Sequence, residues 1–139
     1  MNTDLQYSTR RDFDFNSVYA LYVNAGWTSY TSRPDVLREA IRESRFVLTA
    51  WSGERIVGFL RAVGDGLTII YIQDILVIDE YRRQGIGSEL LRRTLHHYQN
   101  VRQILLLTDN QPETISFYKS VGLQQAHELN VVSFIRLNI

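Results

Sequence analysis

Residues 68–78 form a stretch that is apolar at odd and even positions alike. A strand built from it has no face suited to water, because side chains alternate between the two faces of a strand. Such a strand is buried on both sides, and helices must therefore cover its sheet on each face. The apolar positions that carry this prediction are Ile69, Ile70, Ile72, Ile75, Leu76, Val77 and Ile78.

The elements around this strand alternate between helical and strand patterns, and they predict an α/β (α+β) fold with a mixed central sheet. The expected order along the chain is β-α-α-β-β-β-α-β-α-β-β. Apart from residues 68–78, the predicted elements are a strand near Tyr7, a helix capped by Asp14 or Asn16 and ended by Gly26, a helix over 33–43, strands over 46–51 and 55–63, a helix from Ile86 to about Tyr98, a strand over 101–108, a helix over 112–121, and two strands within 123–137.

Length and charge restrict the class of protein. A chain of 139 residues corresponds to one domain, here 1–139. Fifteen basic and fifteen acidic residues cancel, so no overall field attracts nucleic acid. The chain has no cysteine, which excludes disulfides, thiolate metal sites and acyl-cysteine intermediates. Because it shows neither a signal-peptide pattern nor an apolar run of ~20 residues, we expect a cytoplasmic protein that does not bind membranes.

A polar turn with two glycines joins the apolar strand to the next helix. The strand ends near Val77, and Gly85 and Gly87 stand where the helix begins. The first N–H groups of a helix have no internal partner and carry the positive end of its dipole. The turn therefore suits a pyrophosphate, although an ordinary turn in which the glycines relieve crowding is the alternative. The spacing matches neither a P-loop nor a Rossmann fingerprint.

A second motif lies in the last predicted helix. Asn110 or Gln111 can cap this helix, and Pro112 suits its first turn. Tyr118 shares a face with Ile115 and Val121, so by itself it reads as a core aromatic residue with a hydrogen-bonded hydroxyl.

In this order, the two motifs resemble those of the GNAT superfamily of N-acetyltransferases. The family's Arg/Gln-x-x-Gly-x-Gly/Ala signature stands here as Arg82-Arg83-Gln84-Gly85-Ile86-Gly87. Its later signature, an aromatic-Tyr pair ahead of a Gly-aromatic pair, stands as Phe117-Tyr118 and Gly122-Leu123, with leucine in place of the second aromatic residue. The resemblance extends over residues 69–123 and implies a GNAT-like fold.

The resemblance implies acetyl-CoA as cosubstrate and no metal. Its pantetheine arm would pair with the backbone of Ile75, Leu76 and Val77. Asn110 or Gln111 would supply a further contact, and Tyr118 would lie against the thioester. The pyrophosphate would bind the backbone N–H groups of Arg82, Arg83, Gln84, Gly85, Ile86, Gly87 and Ser88.

The family's chemistry implies direct acetyl transfer in a ternary complex. Tyr118 matches the general acid that protonates the leaving thiolate, and a phenol of pKa ~10 is adequate for that task. Asp74 is our candidate for the base, with a structural carboxylate at a strand irregularity as the alternative interpretation. Glu80 is the other nearby acid, and its place in the turn favours exposure to solvent.

The acceptor is expected to be a small-molecule amine. In family members the segment between the first two helices builds the acceptor pocket, and here it holds Trp27 and Tyr30. These rings either form an apolar slot for the amine or pack between the helices. A protein or peptide acceptor and a non-catalytic acyl-CoA-binding module are the alternative functions. The sequence leaves the acceptor's identity, the base and the oligomeric state open, a homodimer included.

Overall fold

The structure is a computed structural model, which describes residues 4–138. These residues fall into two compact units, 4–107 and 108–138, and each is described by itself. None of the helices in the described range is long and apolar enough to cross a membrane.

The first unit is built on a five-stranded sheet. Its strands lie side by side in the order in which they occur in the chain. All neighbours are antiparallel except the last two strands, which are parallel and are joined through a helix. The strands are β1 (Leu5–Ser8), β2 (Phe46–Ser52), β3 (Arg55–Val63), β4 (Ile69–Val77) and β5 (Gln103–Leu105).

Helices cover both faces of this sheet, as the sequence predicts. The helices of the unit are α1 (Phe15–Ala25), α2 (Thr28–Thr31), α3 (Pro34–Glu43) and α4 (Ile86–His97). On one face, Tyr22 of α1 packs edge-on against Phe59, with ring centroids 6.1 Å apart. On the other, Ile86 and Leu90 of α4 approach Gly58. Because Gly58 and Phe59 are adjacent in β3, they face opposite sides of the sheet.

Local signals explain the ends of α1. The side chain of Asp14 accepts a hydrogen bond from the backbone N–H of Asn16 at 3.2 Å, which makes Asp14 the N-cap. Gly26 ends the helix in the left-handed conformation, with φ of 74°. The short helix α2 was not predicted from the sequence. It is a single turn, and the 3.6-residue hydrophobic period needs a longer segment to be recognised.

The strand predicted to be buried on both faces, β4, is one position away from the edge of the sheet, and β3 takes the central place. Every residue of β3 from Ile56 to Ala62 is buried. In β4 the side chains of Ile75 and Val77 are only half-buried. The prediction that β4 is buried on both faces is therefore only partly correct, because its outer neighbour β5 is short.

Strand β4 also contains a β-bulge. Its register with β3 shifts so that Ala62 pairs with Ile72 and Arg61 pairs with Asp74, which leaves Gln73 as the extra residue. A bulge re-aims the side chains around it and is frequent beside active sites. The irregularity lies beside Asp74, where the alternative interpretation of that residue expected one.

Of two further expectations about the C-terminal third, one is partly correct and one is wrong. The strand predicted over 101–108 is shorter, since β5 spans only Gln103–Leu105, and it is half-buried because it lies at the sheet edge. The two strands predicted within 123–137 do not form in the described chain. The second unit contains helix α5 (Pro112–Ser120) and a 3₁₀ turn (Ala126–Leu129). A strand needs a partner to pair with, and this unit offers none, so Phe134 remains 93% exposed.

Candidate active site

The turn after β4 is tied to three different elements of the first unit. Each residue of its 3₁₀ segment, Asp79–Tyr81, makes a hydrogen bond or an ion pair with one of these elements. The Asp79 N–H donates to Asn24 Oδ1 of α1 at 3.0 Å, and the Tyr81 hydroxyl donates to Ser52 Oγ of β2 at 3.1 Å. Glu80 pairs with Arg55 of β3, with Nη2 to Oε1 at 2.9 Å. These contacts fix the position of the turn that leads into α4.

The start of α4 exposes backbone donors. Gly85 is the N-cap with φ of 80°, and no side chain caps the helix. The first intrahelical bond runs from the Glu89 N–H to the Gly85 carbonyl, at 3.0 Å. The N–H groups of the first turn therefore have no acceptor within the helix. A Cβ at Gly85 would meet no protein atom within 4 Å, so the space in front of the turn is open.

Positive charge lies beside these donors. Arg82 and Arg83 are both exposed, and Arg83 adopts φ of 65°, unusual for a residue with a side chain. The Arg82 Nε lies 3.1 Å from Asp79 Oδ1, which holds this guanidinium next to the turn. Uncapped N–H groups, the dipole of α4 and two guanidinium groups form a donor set that fits a diphosphate.

Helix α4 is pressed closely onto the sheet where the turn ends. A Cβ at Gly58 would lie 2.8 Å from Ile86 Cγ2 and 3.1 Å from the Ala50 Cβ. Only glycine leaves room for Ile86 at this distance. The close approach sets the height of the α4 N-terminus over β3, and with it the position of the exposed donors.

The outer edge of β4 is open over its second half. Strand β5 pairs with Ile69, Ile70 and Tyr71, whereas the pairing of β4 with β3 continues to Val77. Among residues 4–138, no strand pairs with this edge of β4 beyond Tyr71. Ile75, Leu76 and Val77 thus present an unpaired strand edge, to which an extended chain of amides can bind by strand addition.

Asp74 forms a buried ion pair that the sequence did not reveal. Its Oδ2 lies 2.6 Å from the Nε of Arg61, and the two residues are 3% and 5% exposed. Burial lowers the pKa of Arg61, but the charge of Asp74, its hydrogen bond and the neighbouring tyrosines together outweigh burial, so the pKa ends above its usual value. The remaining Arg61 donors reach the Ser44 hydroxyl at 3.2 Å and the Tyr30 hydroxyl at 3.4 Å.

Two tyrosines complete the coordination of Asp74. The Tyr22 hydroxyl donates to Oδ2 at 2.8 Å, and the Tyr30 hydroxyl donates to Oδ1 at 3.0 Å. Burial, reinforced by the charge of Asp74, raises the pKa of both phenols. Both carboxylate oxygens are thus engaged, and the role of Asp74 as a base stays a prediction.

The two aromatic residues predicted for the acceptor pocket lie together. Trp27 immediately precedes α2 and Tyr30 lies within it, with ring centroids 6.1 Å apart. Tyr22 packs edge-on against both rings, at 5.9 and 5.3 Å. Trp27 is 37% exposed and Tyr30 is half-buried, so the cluster closes toward the core and opens toward solvent.

Tyr118 lies on α5 in the second unit. It is half-buried there, and burial raises the pKa of its phenol, opposed by a hydrogen bond with Thr108 and reinforced by the Asp109 carboxylate. Asn110 and Gln111 are both exposed, and Gln111 is the N-cap of α5 without a side-chain hydrogen bond to the helix. The choice between these two as a cosubstrate contact stays open.

The alternative acid, Glu80, is exposed, and its hydrogen bonds from Arg55 lower its pKa. Within residues 4–138, no cluster of three or more His, Cys, Asp or Glu side chains could hold a metal ion. The site residues that sequence reasoning missed are Tyr22, Arg61 and Gln73. Arg61 and Gln73 carried a signal, since each is a polar residue within an apolar run of its strand.

Comparison with protein-family models identifies the family to which this chain belongs. The model of the GNAT family of acetyltransferases matches residues 12–123, which include the first unit's site and Tyr118. A GNAT-family acetyltransferase from Streptococcus pneumoniae has a similar structure, with a TM-score of 0.86 and 29% identity over 96% of this chain and 98% of that one.

Two curated relatives are similar in sequence. A ycf52-like N-acetyltransferase of Prochlorococcus marinus is 27% identical over 84% of this chain and 66% of its own length. A mycothiol acetyltransferase of Corynebacterium glutamicum is 31% identical over 73% of this chain and 35% of its own length. The chain thus spans about two thirds of the first relative and about one third of the second.

Proposed function

This chain belongs to the GNAT family of acetyltransferases, and from that premise we propose that it transfers the acetyl group of acetyl-CoA to the amine of a small molecule. The observation that carries the proposal is the uncapped N-terminus of α4 beside the open edge of β4. The first feature suits a diphosphate and the second suits the amide groups of a pantetheine arm. Acetyl-CoA contains both, joined to the thioester that supplies the acetyl group.

In this proposal the backbone N–H groups of residues 82–88 bind the diphosphate, with Arg82 and Arg83 adding charge. The edge of β4 from Ile75 to Val77 aligns the pantetheine arm by strand addition. Backbone N–H groups of the same strand stabilise the oxyanion that develops on the thioester carbonyl.

Proton transfer is assigned to side chains of the chain itself. When the amine nitrogen bonds to the acetyl carbon and the carbon–sulfur bond breaks, Tyr118 donates its phenolic proton to the departing thiolate. A raised pKa keeps Tyr118 protonated at neutral pH, as a proton donor requires. The amine must lose a proton before attack, and Asp74 is the proposed acceptor, which the proton reaches through water.

A small amine is the favoured acceptor for two reasons. The chain has no net charge, so it lacks the acidic field that would attract a basic protein tail. The exposed Trp27 ring and the half-buried Tyr30 ring offer an aromatic surface of the size of one small organic group. Aromatic faces also attract organic cations, which amines are at neutral pH.

The test is release of CoA thiol from acetyl-CoA in the presence of phenethylamine, spermidine, glucosamine, lysine or a short N-terminal peptide. We expect turnover with at least one small amine and formation of its N-acetyl product by mass spectrometry. Turnover with the peptide and with none of the small amines would support the alternative function, acetylation of a protein or peptide.

Calorimetric titration with CoA separates catalysis from binding. Binding of CoA without turnover on any acceptor would favour the non-catalytic module. No heat of association with CoA would refute the proposed function altogether.

A further inference from the structure

The bulge in β4 brings two neighbouring side chains to a single phenol. Because Gln73 is the extra residue at the register shift, it does not take the opposite face from Asp74. The Gln73 Nε2 lies 3.0 Å from the Tyr30 hydroxyl oxygen, and Asp74 Oδ1 lies 3.0 Å from that same oxygen. Asp74 is buried, whereas Gln73 is exposed.

The buried end of this chain of hydrogen bonds fixes its direction. The Asp74 carboxylate, paired with Arg61, can only accept hydrogen bonds. The single hydroxyl proton of Tyr30 therefore goes to Asp74. The remaining lone pairs of the Tyr30 oxygen must accept, and they face Arg61 Nη2 and the Gln73 amide.

The orientation of the Gln73 amide follows from this. If its oxygen faced Tyr30, two acceptors would meet with no proton between them. The amide nitrogen is thus held against Tyr30, and Oε1 is directed away from the buried cluster. The exposed end of this chain of hydrogen bonds is therefore the Gln73 Oε1, which can only accept. The buried Arg61–Asp74 ion pair at the other end fixes this orientation.

We propose that Gln73 is a specificity-determining residue, whose Oε1 accepts a hydrogen bond from the ammonium or amine N–H of the acceptor substrate. This inference rests on the proposed function and names the substrate class more closely, as a primary or secondary amine with an apolar body. Trp27 and Tyr30 supply the aromatic surface against which the apolar body packs. Gln73 accepts the hydrogen bond from the N–H group at the end of that body.

Tyr30, Asp74 and Arg61 act on this recognition as positioning residues, because they hold the amide without meeting the donor themselves. A carboxylate at position 73 would not serve in the same way, since it has no N–H to give to Tyr30. A glutamine is the side chain that bonds Tyr30 with one end and presents an acceptor with the other.

The first test compares Gln73→Met with Gln103→Met, a matched change at an exposed glutamine of β5. Methionine keeps the length of the side chain and removes its polar atoms. In steady-state assays of CoA release with phenethylamine, we expect Q73M to raise the KM for the amine about tenfold or more. The KM for acetyl-CoA should stay unchanged, and Q103M should match the wild type in both constants.

A matched pair of ligands isolates the N–H donor. Phenethyltrimethylammonium keeps the charge and the ring of phenethylamine but has no N–H. It should bind the wild type and Q73M with equal affinity, whereas phenethylamine should bind Q73M more weakly. Tyr30→Phe should weaken phenethylamine binding by a smaller factor, because Gln73 remains but loses its anchor.

Side-chain amide resonances give a readout that does not depend on turnover. The ¹H–¹⁵N signal of Gln73, assigned by its absence in Q73M, should shift on addition of phenethylamine. A shift without CoA release from any amine would retain this inference and refute the proposed function. CoA release with equal amine KM in Q73M and the wild type would refute this inference and retain the proposed function. Neither a shift nor release would refute both.

Discussion

Arg61 of β3 and Asp74 of β4 are cross-strand partners whose side chains form an ion pair inside the first unit, 2.6 Å from Nε to Oδ2. Both are almost fully buried, so each charge depends on the other for compensation. The pair gathers Tyr22 of α1, Tyr30 of α2 and Ser44, the residue after α3, around one point of the sheet. The ion pair thus connects the buried core, through Tyr30, to the surface proposed to bind the acceptor amine.

Removing one partner of this pair should be costly. Arg61→Met should lower the free energy of unfolding by about 3–5 kcal/mol, because it leaves the Asp74 carboxylate buried without its counter-charge. Arg55→Met is the matched control on the same strand, since the Arg55–Glu80 pair is exposed and worth about 0–1 kcal/mol. Urea unfolding of the two variants measures both values. Equal decreases in the free energy of unfolding for Arg61→Met and Arg55→Met would contradict the prediction that the buried pair matters more.

The raised pKa of Tyr22 predicts a loss of stability at alkaline pH. Above the usual phenol pKa of ~10 the unfolded chain releases the Tyr22 proton while the folded chain retains it. The stabilising contribution is therefore complete below pH ~10 and declines as pH rises further. Tyr22→Phe should make this decline less steep. At neutral pH it should lower the free energy of unfolding by about 2 kcal/mol, because the hydrogen bond to Asp74 is lost. Urea midpoints between about pH 8 and 11 for both proteins provide the test, and parallel curves would refute it.

The turn at the start of α4 can be tested with a pair of alanine substitutions. Gly85 and Gly53 both have positive φ, 80° and 63°, and open space in front of the Cα. Gly85→Ala and Gly53→Ala should each lose about 1 kcal/mol of stability through backbone strain. Only Gly85→Ala should weaken CoA binding, by roughly tenfold, since its methyl group enters the proposed diphosphate site. Calorimetry that finds the same CoA affinity in both variants would exclude the turn as that site.

Replacing Tyr118 by Phe tests the proposed proton donor. We expect kcat to fall by about 10²–10⁴ while the affinity for acetyl-CoA persists, because only the hydroxyl is lost. Tyr98→Phe, at the C-cap of α4, is the control for removal of a tyrosine hydroxyl elsewhere. Since the pKa of Tyr118 is raised, the wild-type rate should show no loss from its ionisation below pH ~10. Unchanged turnover in Tyr118→Phe would remove this residue from the mechanism.

The loop before β4 should be sensitive to acid. Asp65 accepts hydrogen bonds from the N–H groups of Leu67, Thr68 and Ile69, and these bonds hold its pKa well below the usual range. Its contribution is present above the unfolded pKa of ~3.9 and is lost as pH falls through the lower folded value. Asp65→Asn keeps an acceptor that does not titrate, so its stability should depend less on pH between about 2 and 5. Thermal unfolding of the wild type and of Asp65→Asn across that pH range provides the test. The same dependence of stability on pH in both proteins would contradict the role assigned to Asp65.

Family and fold class are confirmed predictions, and both came from local patterns. The glycine turn around Gly85 and the aromatic-Tyr pair at Tyr118 are short segments whose meaning depends on a few adjacent residues. The caps of α1 were readable for the same reason, since Asp14 and Gly26 act within one turn of their positions. The prediction of two tail strands was wrong because a strand also needs a neighbour to pair with.

The sequence by itself determined that a helix with an uncapped N-terminus follows an apolar strand, because backbone propensities and dipoles act over a few residues. Only the tertiary structure decided that Arg61 and Asp74 share one buried site with Tyr22 and Tyr30. Their meeting depends on strand register, and a single bulge residue at Gln73 shifts that register. Register is set by the sum of contacts across the sheet, so no short segment of the chain contains it.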